Sequence, residues 1–167
     1  MEEHSSGIWA EQSVFSVASY PHCSLLNVFV KMISKTGTRF HAHNQANTAD
    51  WEYQSKEWDV LDSGSCVAVT KIGQLPAGMT AKDIDVLLEK IPLTVPDVDR
   101  PRFHDQFTCL VWFRAAIRRL HIARILGVID LDLLEESLRV KATGEQYANV
   151  MRTRQGPAIM QPSDYTY

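Results

Sequence analysis

Residues 105–126 read D-Q-F-T-C-L-V-W-F-R-A-A-I-R-R-L-H-I-A-R-I-L. Cys109, Trp112, Phe113, Ala116, Ile117 and Leu120 recur at the spacing that places side chains on one helix face. Arg114, Arg118, Arg119 and Arg124 fill the remainder. The pattern predicts an amphipathic helix over about 105–126, with one apolar face and a solvated basic one. Asp105 and Thr108 both suit its N-cap, and Gly127 suits its end. Such a helix needs a second layer to bury against.

That layer lies upstream. Residues 13–20 (S-V-F-S-V-A-S-Y) mix β-branched and aromatic residues as strands do. Residues 24–33 (S-L-L-N-V-F-V-K-M-I) form a nearly continuous apolar run, as in a strand buried on both faces, although a short buried helix has the same pattern. Thr36-Gly37 signals a turn, so 38–43 (T-R-F-H-A-H) is expected to complete a hairpin. Residues 51–60 suggest a short strand and a turn, and 66–72 another strand.

Thr80 and Asp83 then have the spacing of a helix start, with Ile84, Leu87, Leu88 and Ile91 at helical intervals and Pro92 as the stop. Pro92, Pro96 and Pro101 predict a stiff extended connector over 92–102. A last helix is expected at about 131–142. Strands first and helices afterwards predict an α+β fold, an antiparallel sheet packed against helices.

The chain has 167 residues, 45% hydrophobic and 22% charged, which suits one core in one domain. The expected division is a flexible N-terminus over 1–12, a single α+β domain over 13–145, and an extended C-terminal tail over 146–167. A net charge of -3 argues against a nucleic-acid partner. No apolar run approaches the ~20 residues of a membrane span. Met1 to Gly7 lack the pattern of a secretory signal, so a cytoplasmic, reducing location is expected. Cys23, Cys66 and Cys109 are odd in number and widely spaced, which is no disulfide framework, and no C-x-x-C pair exists. With no G-x-G-x-x-G or phosphate loop, the sequence points to no cofactor. It sets no oligomeric state.

The chemistry-bearing candidates centre on Cys109. At the start of a helix the dipole favours the thiolate, which is the nucleophilic form. The same small thiol on an apolar helix face also serves as ordinary core. His22, His41 and His43 lie on or beside predicted strands, and strand alternation puts His41 and His43 on one face. If His22 and His41 faced the helix start, one could act as base and the other orient it. No metal site is expected, because H-x-H without further ligands is a weak pattern. Trp51, Trp112, Phe107 and Thr108, with His43, are candidates for lining an apolar pocket.

Three pieces occur in order: P-H-C-S-L-L at 21–26, F-H-A-H at 40–43 and T-C-L-V-W-F at 108–113. Together they resemble a group of small fungal proteins with H-W-x-L and N-C-x-x-W-V type motifs. The order His, His, Cys is similar to that of permuted papain-like folds, such as the lecithin:retinol acyltransferase family and the PPPDE peptidases. The resemblance implies His22 as base, His41 as its partner and Cys109 as nucleophile. Two positions depart from it: Cys23 stands where the motif has Trp, and Thr108 where it has Asn.

Because both departures weaken a thiol mechanism, the expected function is cyclisation or isomerisation of a hydrophobic small molecule in an aromatic-lined pocket. The resemblance points to fungal specialised metabolism. A Cys–His hydrolase or acyltransferase is the alternative, and a non-catalytic interaction module the third reading.

Overall fold

The computed structural model describes residues 13–19, 25–33, 36–44, 50–59, 66–143 and 158–160. They form an α+β arrangement. Five strands come first: β1 (Ser13–Ser19), β2 (Leu25–Ile33), β3 (Thr36–Asn44), β4 (Trp51–Asp59) and β5 (Cys66–Gln74). Helices α1 (Ala81–Leu88), α2 (Arg100–Phe103), α3 (Cys109–Ile122) and α4 (Leu131–Thr143) follow, and then β6 (Ala158–Met160). The sheet order is β4-β3-β2-β1-β5-β6. β1 to β4 form an antiparallel meander, β5 returns to the free side of β1, and β6 joins β5 in parallel.

The register explains which face is core. Val28 opposes Phe40 and Val14 opposes Val30, and all four are fully buried. With Ala42 and Ile72 they form the floor on which the helices pack. α3 crosses β2 and β3, α4 lies against β1 and β5, and α1 sits beside α3. Trp112, Phe113, Ala116, Ile117 and Leu120 supply the facing layer, so the apolar face expected of this helix is the buried one. At ~25 cal/mol per Å² of apolar surface removed from water, these large side chains are the chief stabilising contribution. Among the described residues, no helix is long and apolar enough to cross a membrane.

Several boundaries differ from expectation for identifiable reasons. Thr36 and Gly37, expected in a turn, open β3 and pair with Asp59 and Trp58. Residues 51–59 form a continuous nine-residue strand, because each finds a partner along β3. The proline-rich connector contains α2, with Pro101 in the first helical turn, where its missing N–H costs nothing. Thr80 and Asp83 form a reciprocal capping box, as their spacing suggested.

The end of α3 differs too. Gly127 does not terminate it; Arg124 does, in the left-handed conformation with φ 58°. Ile125 N–H donates to Leu120 O at 2.9 Å and Arg124 N–H to His121 O at 2.9 Å, the paired bonds of a Schellman ending. Ile125 and Leu120 are both buried beneath it. The next close approach fixes a glycine: a Cβ on Gly73 would collide with Leu126 Cδ2.

At the far end, Ala158–Met160 lies within the stretch expected as an extended tail, yet it pairs with Ala68, Val69 and Thr70. The expected N-terminal segment, 1–12, and the remainder of that tail lie outside the described residues.

Candidate functional site

The start of α3 is built by Thr108. Its backbone is extended, and its side chain accepts a hydrogen bond from Val111 N at 3.3 Å. Thr108, expected to line a pocket, therefore spends its hydroxyl as the helix cap. Cys109 follows in the first turn and is half-buried. Burial pushes its thiol up to about 11; the backbone N–H groups of Leu110 and Cys109 itself act in the opposite direction and do not offset it. Desolvation outweighs the helix-start effect, and the group is a neutral thiol near pH 7.

One turn further on, Trp112 is fully buried. Its ring lies 5.8 Å from that of Tyr53, which projects from β4. Tyr53 Oη donates to Asp85 Oδ1 at 2.8 Å, joining β4 to α1. Asp85 also accepts from Lys82 Nζ at 3.1 Å. Burial opposes ionisation of Asp85, but the hydrogen bonds from Tyr53 and Lys82 prevail and hold its carboxyl below the usual value. Burial, and then the Asp85 carboxylate, raise the Tyr53 phenol well above its ordinary range. The pair is an ionised acid holding a protonated phenol. Trp112 Nε1, also buried, has no hydrogen-bond partner among the described residues. Trp51 packs edge-on against Phe107, with ring centroids 5.4 Å apart.

The histidines stand elsewhere. Phe40 and Ala42 point into the core, so strand alternation turns His41 and His43 to the opposite face of the sheet. His41 Nε2 lies 3.0 Å from Gln54 Oε1, its cross-strand neighbour. The His41 and His43 rings stack at 5.3 Å, and His43 Nε2 is 4.0 Å from Glu52 Oε2. Burial, and then the charge of Arg39, lower the His41 pKa to about 4 despite the Gln54 bond. The fold thus brings Cys109, Phe107, Thr108, Trp51 and Trp112 to the helix side, and His41 and His43 to the other. His22 lies outside the described residues. Among the described residues, no three His, Cys, Asp or Glu side chains gather as a metal site.

Two features escaped sequence reasoning. Asp85 lies 32 residues from Tyr53, and no local pattern links them. The second is a buried ion network. Arg114, read as part of a solvated basic face, is buried. Its Nε donates to Asp99 Oδ1 at 3.0 Å, and its Nη1 to Glu135 Oε2 at 2.6 Å. Arg118 grips Asp99 with two bonds of 2.6 Å, and Arg102 grips Glu135 with bonds of 2.8 and 3.0 Å. Asp99 and Glu135, with side chains only 1% and 2% exposed, are each hydrogen-bonded by two arginines, and Arg139 lies 3.9 Å from Glu135. The paired acids Asp132 and Glu135, one turn apart on a neighbouring helix, were the available sequence signal.

Fold and site together define an α+β sheet-and-helix domain with an aromatic, hydrogen-bonding cluster beside a neutral thiol. Compared with protein-family models, curated proteins and solved structures, the chain finds no match in any of the three.

Proposed function

We propose that this protein binds a hydrophobic small molecule beside Cys109 and promotes its cyclisation or isomerisation without covalent capture. The observation that carries this reading is the fully buried Nε1–H of Trp112, without a hydrogen-bond partner among the described residues, against the Tyr53–Asp85 pair. A buried donor left unpaired costs about 1–3 kcal/mol, which a bound acceptor such as a substrate carbonyl would recover. Catalysis of this kind needs shape, exclusion of water and a placed donor, and no nucleophile. The neutral state of Cys109 and the position of His41 and His43 on the other face both count against thiol chemistry. The motif around Cys109 and its resemblance to small fungal proteins motivate the link to specialised metabolism.

The test is a thermal-shift and tryptophan-fluorescence screen of apolar aromatic and polyene carbonyl compounds. Hits are then examined in Trp112→Phe, Tyr53→Phe and Cys109→Ala. The expected result is saturable binding that Trp112→Phe weakens at least tenfold and Cys109→Ala leaves nearly unchanged. Equal binding by Trp112→Phe, or a covalent adduct on Cys109, would defeat the reading.

A second reading, an interaction module, draws support from Leu133 and Val140, exposed seven residues apart on α4, with Ile129 exposed just before it. Loss of partner capture on Leu133→Lys, with small-molecule binding absent, would favour it.

A further inference from the structure

The opposite end of α3 carries a second cleft. A helix of 14 residues is ~20 Å long, so this end is remote from Cys109. Ile122, Arg124, Ile125, Leu126 and Gly127 line a cavity of about 590 Å³ with His121. Ile117, Arg118, Val128 and Leu131 line an adjoining one of about 290 Å³, which shares His121 and Ile122. Volumes of this order accommodate small organic ligands. Ile122 lines both cavities with 75% of its surface exposed, which leaves an apolar side chain open to a ligand at their junction.

The charges are uneven. Arg118 is committed to Asp99. Arg124 makes no ion pair among the described residues. It is held at the cleft by the left-handed helix ending, a conformation that a non-glycine residue adopts at some cost. His121 Nδ1 lies 3.1 Å from Leu126 O and 3.3 Å from Val128 N, and this tie closes the loop that shapes the wall. Its Nε2 makes no hydrogen bond among the described residues. One end of the cleft thus offers a guanidinium, and its body offers aliphatic side chains.

We propose that this cleft is a binding site for an amphipathic carboxylate, a small molecule with an apolar body and one anionic head. The head pairs with Arg124, whose planar fork matches two carboxylate oxygens. The body lies over Ile122 toward Ile117, Val128 and Leu131. A neutral apolar molecule would forgo the charge pairing. The site is independent of the one at Cys109, and neither requires the other.

The experiment is calorimetric titration of the full chain with decanoate, below its micelle concentration, and with decanol as the neutral counterpart. Arg124→Gly removes the guanidinium and suits the left-handed backbone, so the fold is retained and its melting temperature is the same or higher. Saturable decanoate binding is expected, tighter than decanol by tenfold or more. Arg124→Gly should lose that preference, and Ile122→Asp should bind neither probe. Equal affinity for decanoate and decanol, undiminished decanoate binding by Arg124→Gly, or no saturable binding would each overturn the proposal. So would concentration-dependent self-association that Ile122→Asp abolishes and decanoate does not disturb, because the cleft would then belong to a second copy of the chain.

Discussion

Replacing Arg114 with Met keeps an unbranched apolar stem and removes the cation at the centre of the buried network. Of the three carboxylates it serves, Asp132 is 72% exposed and can turn to water, but the two buried ones cannot follow. Asp99 and Glu135 have side chains 1% and 2% exposed, on different elements, with α3 between them. Removing one member of a buried pair typically costs about 3–5 kcal/mol, because the remaining charge stays desolvated. Here Asp99 keeps Arg118, and Glu135 keeps Arg102, with Arg139 also 3.9 Å from Glu135. Those arginines are 27% and 45% exposed, so they compensate only in part. The expected loss is therefore at the lower end, about 3 kcal/mol, or roughly 6–12 °C in melting temperature for a chain of this size.

Urea denaturation followed by circular dichroism measures that loss directly. It also tests the sign with pH. Burial opposes ionisation of Asp99, but the hydrogen bonds and charges of Arg118 and Arg114 prevail and hold its pKa below the ordinary carboxylate value. A depressed acid contributes stability above its unfolded pKa, and that contribution is lost as pH falls through the folded one. The native protein should hold this contribution down to about pH 4 and lose it below. Arg114→Met should lose less over a narrower span below about pH 4, because one of the groups that depress Asp99 has gone. A loss under about 1 kcal/mol with an unchanged acid profile would show the arginines to be an ordinary solvated face.

Three further outcomes are expected. Gly73→Ala forces a methyl into Leu126 and should cost about 1–3 kcal/mol in a denaturation curve, whereas Gly78→Ala meets no neighbour and should suffer only backbone strain. Proton NMR should place the His41 midpoint near 4, and stability should fall between about pH 6.5 and 4 because the unfolded chain takes up the proton first; His41→Gln should flatten that part of the profile. Tyr53→Phe leaves Asp85 with Lys82 as its remaining charged partner and should cost about 1–2 kcal/mol by urea denaturation, with a higher Asp85 titration midpoint.

What was legible in the sequence was what is local. The face of α3 could be read because Trp112, Phe113, Ala116, Ile117 and Leu120 repeat at helical spacing, and the start of α1 because Thr80 and Asp83 form a box within four residues. β1 followed from a β-branched and aromatic run, whereas 24–33 also fitted a buried helix and Thr36-Gly37, read as a turn, opens β3. The illegible part depends on pairing across distance. Whether His41 faces Cys109 is decided by which parity of β3 meets the helices, and Phe40 and Ala42 settle that parity through partners on other elements. Arg114 looked solvated because its counter-charges, Asp99 and Glu135, lie 15 and 21 residues away. The thiol at Cys109 has a favourable helix address, but its burial comes from packing that the address does not encode.

The central claim is that Cys109 marks the site and does not attack. The rate of iodoacetamide modification at Cys109 against pH, resolved by mass spectrometry of its peptide, tests this most directly. The reading predicts slow labelling that still rises at pH 10, consistent with a thiol raised to about 11. Rapid labelling with a midpoint at or below about pH 8 would contradict it and restore Cys109 as a nucleophile.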